Sequence, residues 1–213
     1  MDIELIDIGT YNRAEHFKHF MKHSCSITIS TNIDISMLRK YIRRMKFKTY
    51  PILIWVVSNA VNAVPECRTM IDCNGRLARY KKIDPAYIAW NDETNSIYCL
   101  STPFTSNINE FYKNCVQDID KNRNKGMFPQ GKAPSNTFSI SASSKIQFTS
   151  MSINVHKMPL TPIITLGRIY TKWFKSYLPI SIQVNHACCD GYHIARILEE
   201  INKTIKNLSL VSL

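Results

Sequence analysis

The stretch "LPISIQVNHACCDGYHIARILEEI" (residues 178–201) changes its apolar period half-way along, and that change decides the fold. As far as Cys189 it reads as a strand. Ile182, Val184, His186 and Cys188 share one face, and Gln183, Asn185 and Ala187 share the other. From Tyr192 onward the pattern is helical, with Ile194, Ile197, Leu198, Ile201 and Ile205 at the spacing of one helix face. Asp190 and Gly191 stand between the two patterns, and an aspartate just ahead of a helical stripe is a good N-cap.

Working outward, the rest of the chain alternates the same two patterns. "NTFSISAS", "KIQFTSMSINVH" and "PIITLGRIYTKWF" read as three β-like runs that follow the loop "GMFPQGKAPS". "SNINEFYKNCVQDIDKN" (106–122) is an amphipathic helix with Ile108, Phe111, Tyr112, Cys115 and Ile119 on its stripe. Before it come the short strands "RTMID", "LARYKK", "AYIAW" and "IYCLST", joined by turns such as "CNGR". "YPILIWVVSNAVNAV" (50–64) is a core helix opened by Pro51 and ended by Pro65 and Glu66, and Asp34 caps the helix "ISMLRKYIRRMKF". At the N-terminus "YNRAEHFKHFMKH" (11–23) is a short helix, followed by the alternating "CSITIST". With no repeat, linker or low-complexity tract, the expectation is one α/β domain over residues 1–213, a mixed β-sheet with helices packed on it.

A chain of 213 residues, 45% hydrophobic and 10% aromatic, can bury a sizeable core. Seven cysteines without a C-x-x-C pair, and an N-terminus "MDIELIDIGTYNR" without a basic-then-apolar leader, point to a reduced, cytoplasmic protein. The longest apolar stretch is interrupted by Ser58, Asn59 and Asn62 and is too short to span a bilayer, so no membrane role is expected. The net charge of +11 falls in separate clusters, "RKYIRRMKFK" (39–48), "RLARYKK" (76–82) and "KNRNKG" (121–126). None carries a nucleic-acid signature, and dispersed basic residues suit a compact anionic ligand such as a phosphorylated cofactor better than a long polyanion.

His186 admits three readings from residue types alone. A zinc site with Cys188 and Cys189 would need a distorted strand, because adjacent cysteines point to opposite faces, and no second ligand pair stands at the usual spacing; no metal is expected. A core histidine satisfied by backbone groups is the second reading. A base acting on a substrate is the third.

His186, Asp190 and Gly191 spell H-x-x-x-D-G, which resembles the active-site motif of the chloramphenicol acetyltransferase family, shared with dihydrolipoyl acyltransferase cores. "YNRAEHF" (11–17), "YPILIW" (50–55), "DET" (92–94), "FPQGKAP" (128–134), "NTFSIS" (136–141) and "PIIT" (162–165) are similar to further segments of that family, in the same order and over nearly the full length. The resemblance implies a two-layer sandwich of the coenzyme A-dependent acyltransferase type. It implies acetyl-CoA as co-substrate and a homotrimer with active sites at subunit interfaces. The acceptor would be chloramphenicol, or a related hydroxylated small molecule, acetylated on its primary hydroxyl. By position His186 would be the general base, Ser141 the hydroxyl that stabilises the oxyanion, and Asp190 the partner of Arg13 in a pair that orients the histidine. The acceptor pocket would include Phe20, Cys25, Ile27, Ile97, Cys99, Phe128, Met151, Ile153 and Thr165. Lys48, Tyr50 and Arg168 would contact coenzyme A.

Some positions depart from the family pattern. Asn185 replaces the first of two histidines, Tyr11 a tryptophan, Asn91 a histidine and Ser139 an asparagine, and "ASSK" replaces a proline-tryptophan pair. These changes touch the acceptor and cofactor walls rather than His186. They keep two rivals open, an acyltransferase of the same fold with a different hydroxylated acceptor, and a non-catalytic binding protein.

Overall fold

The computed structural model describes residues 2–210, so the 1–213 range expected for the domain extends past it at both ends. The chain runs β1 (Ile3–Leu5), α1 (Ala14–Met21), β2 (Ser26–Asp34), α2 (Ser36–Met45), α3 (Thr49–Ala63) and a 3₁₀ turn (Pro65–Arg68). It continues with β3 (Thr69–Ile71), β4 (Leu77–Tyr80), β5 (Asp84–Asn91), β6 (Ser96–Ser101), α4 (Ile108–Asn122) and β7 (Thr137–Ala142). β8 (Ile163–Leu166), β9 (Tyr170–Lys172), β10 (Lys175–Asn185) and α5 (Gly191–Leu210) complete it. The main sheet has the order β2-β10-β8-β7-β5-β6, with β9 paired to β10. It is mixed: β5, β7 and β8 pair in parallel and the other neighbours antiparallel. β1, β4 and β3 form a second, smaller antiparallel sheet that the chain's pattern did not announce.

Helices α2 to α5 lie on one face of the main sheet. α3 packs against α5, α4 and α2, and its residues Pro51 to Ser58 are all buried, as a helix that is apolar all round from Pro51 to Val57 requires. Leu178, Ile180, Ile182 and Val184 of β10 face this layer and are 0–3% exposed. The expected cap is present in part: Asp34 Oδ1 accepts from the N–H of Ser36 (3.0 Å) and from its hydroxyl (2.6 Å) at the start of α2. No helix among the described residues is long and apolar enough to cross a membrane.

Three expectations are corrected. Residues 145–156 form no strand; the segment crosses the helix-free face of the sheet, and side chains of β2 and β10 take up its backbone groups. Ser30 Oγ accepts from Met151 N–H (3.2 Å), while Gln183 accepts from Ile153 N–H (3.1 Å) and donates to Ile153 O (3.0 Å). The run through 162–174 is broken at Gly167, where a Cβ would lie 2.9 Å from both Phe148 and Pro179, and then turns at Trp173 and Phe174 with φ of 50° and 64°. The third correction concerns His186. β10 ends at Asn185, so residues 186–189 form a turn instead of alternating between faces, and Ala187, Cys188 and Cys189 are all buried.

Candidate active site

β10 is held between β2 and β8, and its last antiparallel contact is the N–H of His186 on Cys25 O (2.9 Å). The chain then turns. Asn185 O accepts from the N–H groups of Cys188 (3.0 Å) and Cys189 (2.9 Å), and Asn185 Oδ1 accepts from Ala187 N–H (3.0 Å). This turn leaves His186 half-buried, with Phe20 of α1 stacked on its ring at a centroid distance of 3.9 Å and 27° between planes. His186 Nδ1 lies 3.2 Å from Cys189 O. A carbonyl can only accept, so it favours the tautomer with hydrogen on Nδ1 and a free lone pair on Nε2. Cys189 Sγ faces Cys67 Sγ at 3.9 Å rather than His186, and among the described residues no group of His, Cys, Asp or Glu side chains could hold a metal ion.

Asp190 follows the turn and heads α5. Its Oδ2 accepts from Arg13 Nη1 (2.8 Å), while Oδ1 accepts from Tyr192 N–H (3.0 Å) and lies 2.8 Å from His193 Nδ1. Arg13 comes from the segment just before α1, and its side chain is 12% exposed. Burial pushes the Asp190 carboxyl up, but the bonds from His193 and Arg13 outweigh it and hold the group down at about 2. The carboxylate is therefore ionised at neutral pH.

Ser141 sits elsewhere. It lies on β7, facing away from the helices, and lines a cavity of about 880 Å³ on the helix-free face together with Cys99, Phe128, Ile153 and Lys132. Ser141 pairs with Thr165, and Thr165 with Ser181, so Ser141 is level with Ser181 two strands away. His186 lies five positions beyond Ser181. At about 3.4 Å per residue along the strand and about 5 Å between strands, His186 and Ser141 are roughly 20 Å apart. Within one chain the two candidate catalytic groups do not meet.

Comparisons with known proteins agree with the motif. Residues 1–202 match the family profile described as chloramphenicol acetyltransferase. A chloramphenicol acetyltransferase of Bacillus pumilus is 37% identical over 201 residues, covering 92% of this chain and 91% of that protein. The chain belongs to the chloramphenicol acetyltransferase family. Another member, from Staphylococcus aureus, is 32% identical over 97% of this chain and 100% of its own length. A solved chloramphenicol acetyltransferase superposes with a TM-score of 0.88 at 21% identity, covering 95% of this chain and 99% of that one. The cubic core of a pyruvate dehydrogenase complex shares the fold at a TM-score of 0.69 and 14% identity, with coverage of 94% and 89%.

The other residues singled out by family position are dispersed. Phe20 and Cys25 stand at His186, and Ile27 follows on β2, opposite Val184. Ile97 is exposed beside a separate groove near Met127, Thr165 is buried between Ser141 and Ser181, and Met151 is held over β2 by Ser30. Lys48, Tyr50 and Arg168 do not line the cavity. Lys48 pairs with Asp120 at 3.6 Å, the Tyr50 hydroxyl donates to Ile88 O (2.8 Å), and the N–H of Arg168 donates to Ile146 O (2.7 Å). Burial raises the Tyr50 phenol well above its usual range, so its hydroxyl stays protonated and able to donate.

Two of the family departures have local tasks. Asn185 builds the turn, and buried Asn91 ties the end of β5 to Arg123 O (2.7 Å) beyond α4. Sequence reasoning missed Lys132 and Gln130 of the cavity rim, although both lie in the "FPQGKAP" loop quoted for its similarity. Their signal was a basic and an amide side chain in a glycine-proline loop. His193 was missed too, being read only as part of a helical pattern.

Proposed function

We propose that this protein transfers acetyl from acetyl-CoA to the primary hydroxyl of chloramphenicol, with His186 as general base. What carries the reading is the Cys189 carbonyl at His186 Nδ1, which leaves Nε2 unprotonated in a turn anchored by Asp190 and Arg13. Nε2 takes the acceptor hydroxyl proton as the oxygen attacks the thioester carbonyl. The tetrahedral intermediate carries a negative oxygen, which the Ser141 hydroxyl stabilises. Collapse breaks the carbon–sulfur bond, and the departing thiolate takes the proton back from the imidazole. Acetyl is thereby transferred and free coenzyme A released.

Since the two groups are roughly 20 Å apart in one chain, the reaction requires His186 of one copy to face Ser141 of another, which supports the homotrimer with sites at its interfaces. The helix-free cavity has a volume in the range of small-molecule sites, and its mainly apolar wall suits an aromatic amide. Lys132 is the charged side chain on that wall and joins Lys48, Tyr50 and Arg168 as a candidate for the polar groups of coenzyme A. A cytoplasmic location fits the free cysteines.

A thiol-release assay with acetyl-CoA and a panel of hydroxylated acceptors tests the reading. Turnover with chloramphenicol is expected. Turnover only with another acceptor would favour the same-fold rival, and none with any acceptor would favour a binding protein. His186→Ala should lower kcat by about 10² to 10⁴; activity within a few-fold of the parent would remove His186 as the base.

A further inference from the structure

His193 reaches the same aspartate from the opposite side to Arg13. It lies on the first turn of α5, its side chain is 6% exposed, and its two nitrogens face two carboxylates: Nδ1 is 2.8 Å from Asp190 Oδ1 and Nε2 is 3.8 Å from Glu66 Oε2. Arg196, one turn further on, approaches the same Glu66 oxygen at 3.6 Å. An ionised carboxylate only accepts hydrogen bonds, so the hydrogen shared at 2.8 Å is assigned to His193 Nδ1.

The peptide unit joining Cys189 to Asp190 links this arrangement to the catalytic turn. Its oxygen is 3.2 Å from His186 Nδ1, and its N–H points toward His193 Nδ1 at 3.2 Å; with the hydrogen on Nδ1 given to Asp190 Oδ1, this second approach is a packing contact and not a hydrogen bond. One rigid plane therefore has a histidine at each end. We propose that His193 is a positioning residue for acyl transfer, holding the second oxygen of Asp190 so that this plane, and with it the His186 ring, stays in register. Arg13 fixes Oδ2, and the Tyr192 N–H reaches Oδ1 at 3.0 Å; His193 adds the shorter contact to that second oxygen, from a side chain packed between α5 and the 3₁₀ turn. The Phe20 stack restrains the tilt of the His186 ring but makes no bond to Nδ1. Glu66 of the 3₁₀ turn faces His193 from behind at 3.8 Å and pairs with Arg196 of α5 at 3.6 Å, neither of them within hydrogen-bond reach. The inference rests on His186 being the base.

Steady-state kinetics of the full-length protein with acetyl-CoA and chloramphenicol test it, alongside His186→Ala. His193→Phe keeps a ring but no donor. It should lower kcat by about 10²-fold, the size expected when a reacting group is displaced by about 1 Å, with both KM values within about threefold of the parent. His193→Asn carries an amide donor near the place of Nδ1 and should recover most of that loss, whereas His193→Gln, whose donor lies nearer Nε2, should not. A core residue that only filled space would lower thermal stability in all three without this order in kcat. Parental kcat in folded His193→Phe, with His186→Ala inactive, would overturn the proposal while leaving the base assignment standing. An active His186→Ala would remove the base assignment itself. If His193→Phe does not fold, the Asn and Gln variants carry the test alone: about a tenfold advantage for Asn is expected, and equal activity overturns the proposal.

Discussion

The carboxylate of Asp190 serves three neighbours, Arg13 with Oδ2 and both the Tyr192 N–H and His193 with Oδ1, so the helix cap and the ion pair that its sequence context presented as rivals are both present. Its acidity makes this testable. The folded-state value of about 2 is below the ordinary 3.8, so the folded protein binds the proton less readily than the unfolded chain. The contribution to stability is fully present above about pH 4 and is lost as pH falls through about 2. Asp190→Asn lacks this term. In urea unfolding, the stability gap between parent and Asp190→Asn should shrink by about 1–2 kcal/mol between pH 4 and pH 2, a range reduced for partial exposure. A gap constant across that window would mean that the carboxylate gains nothing from its partners. Ser141 carries a separate prediction. Ser141→Ala should lower kcat by about 10- to 10³-fold with KM for chloramphenicol little changed, because the hydroxyl acts on charge that develops only in the transition state. An effect confined to KM would reduce Ser141 to a wall of the cavity.

Between elements, the Arg13–Asp190 contact fastens the segment before α1 to the start of α5, across 177 positions of sequence. Removing either partner leaves a charge in a largely buried place, which costs about 3 kcal/mol, near the low end for buried pairs because Asp190 is 30% exposed. A double-mutant cycle of Arg13→Ala and Asp190→Ala should show a combined loss smaller than the sum by more than about 1 kcal/mol, read by urea unfolding; additive losses would show that the contact is not energetically coupled. The elements themselves were legible where period carried the signal: the apolar stripe of α5 and the apolar run from Pro51 to Val57 in α3 left little alternative. "KIQFTSMSINVH" alternates like a strand but pairs with none, because Ser30, Ser181 and Gln183 supply from their side chains the hydrogen bonds a neighbouring strand would have supplied. The β9–β10 turn was invisible because Trp173 and Phe174 occupy left-handed positions where glycine or asparagine is the usual marker. His193 was hidden differently. Its partners Asp190 and Glu66 converge only when α5 packs beside the 3₁₀ turn.

For the whole molecule, the motif residues were readable and their distance was not, since it depends on the register of three strands. Ser141, Thr165 and Ser181 run level across β7, β8 and β10, and His186 lies beyond the end of that row. Two groups roughly 20 Å apart cannot act on one carbonyl, so a site that uses both must be assembled from two copies of the chain. Complementation between inactive variants tests this directly. When His186→Ala and Ser141→Ala chains are unfolded together in equal amounts and refolded, half of the copies contribute an intact histidine and half an intact serine. In a closed ring with random mixing, about one quarter of the interfaces should receive both. Activity should therefore rise to about a quarter of the parental value, well above the mean of the two variants refolded separately and then mixed. Without such a rise, the two residues would have to serve the same chain, and the shared site would be wrong.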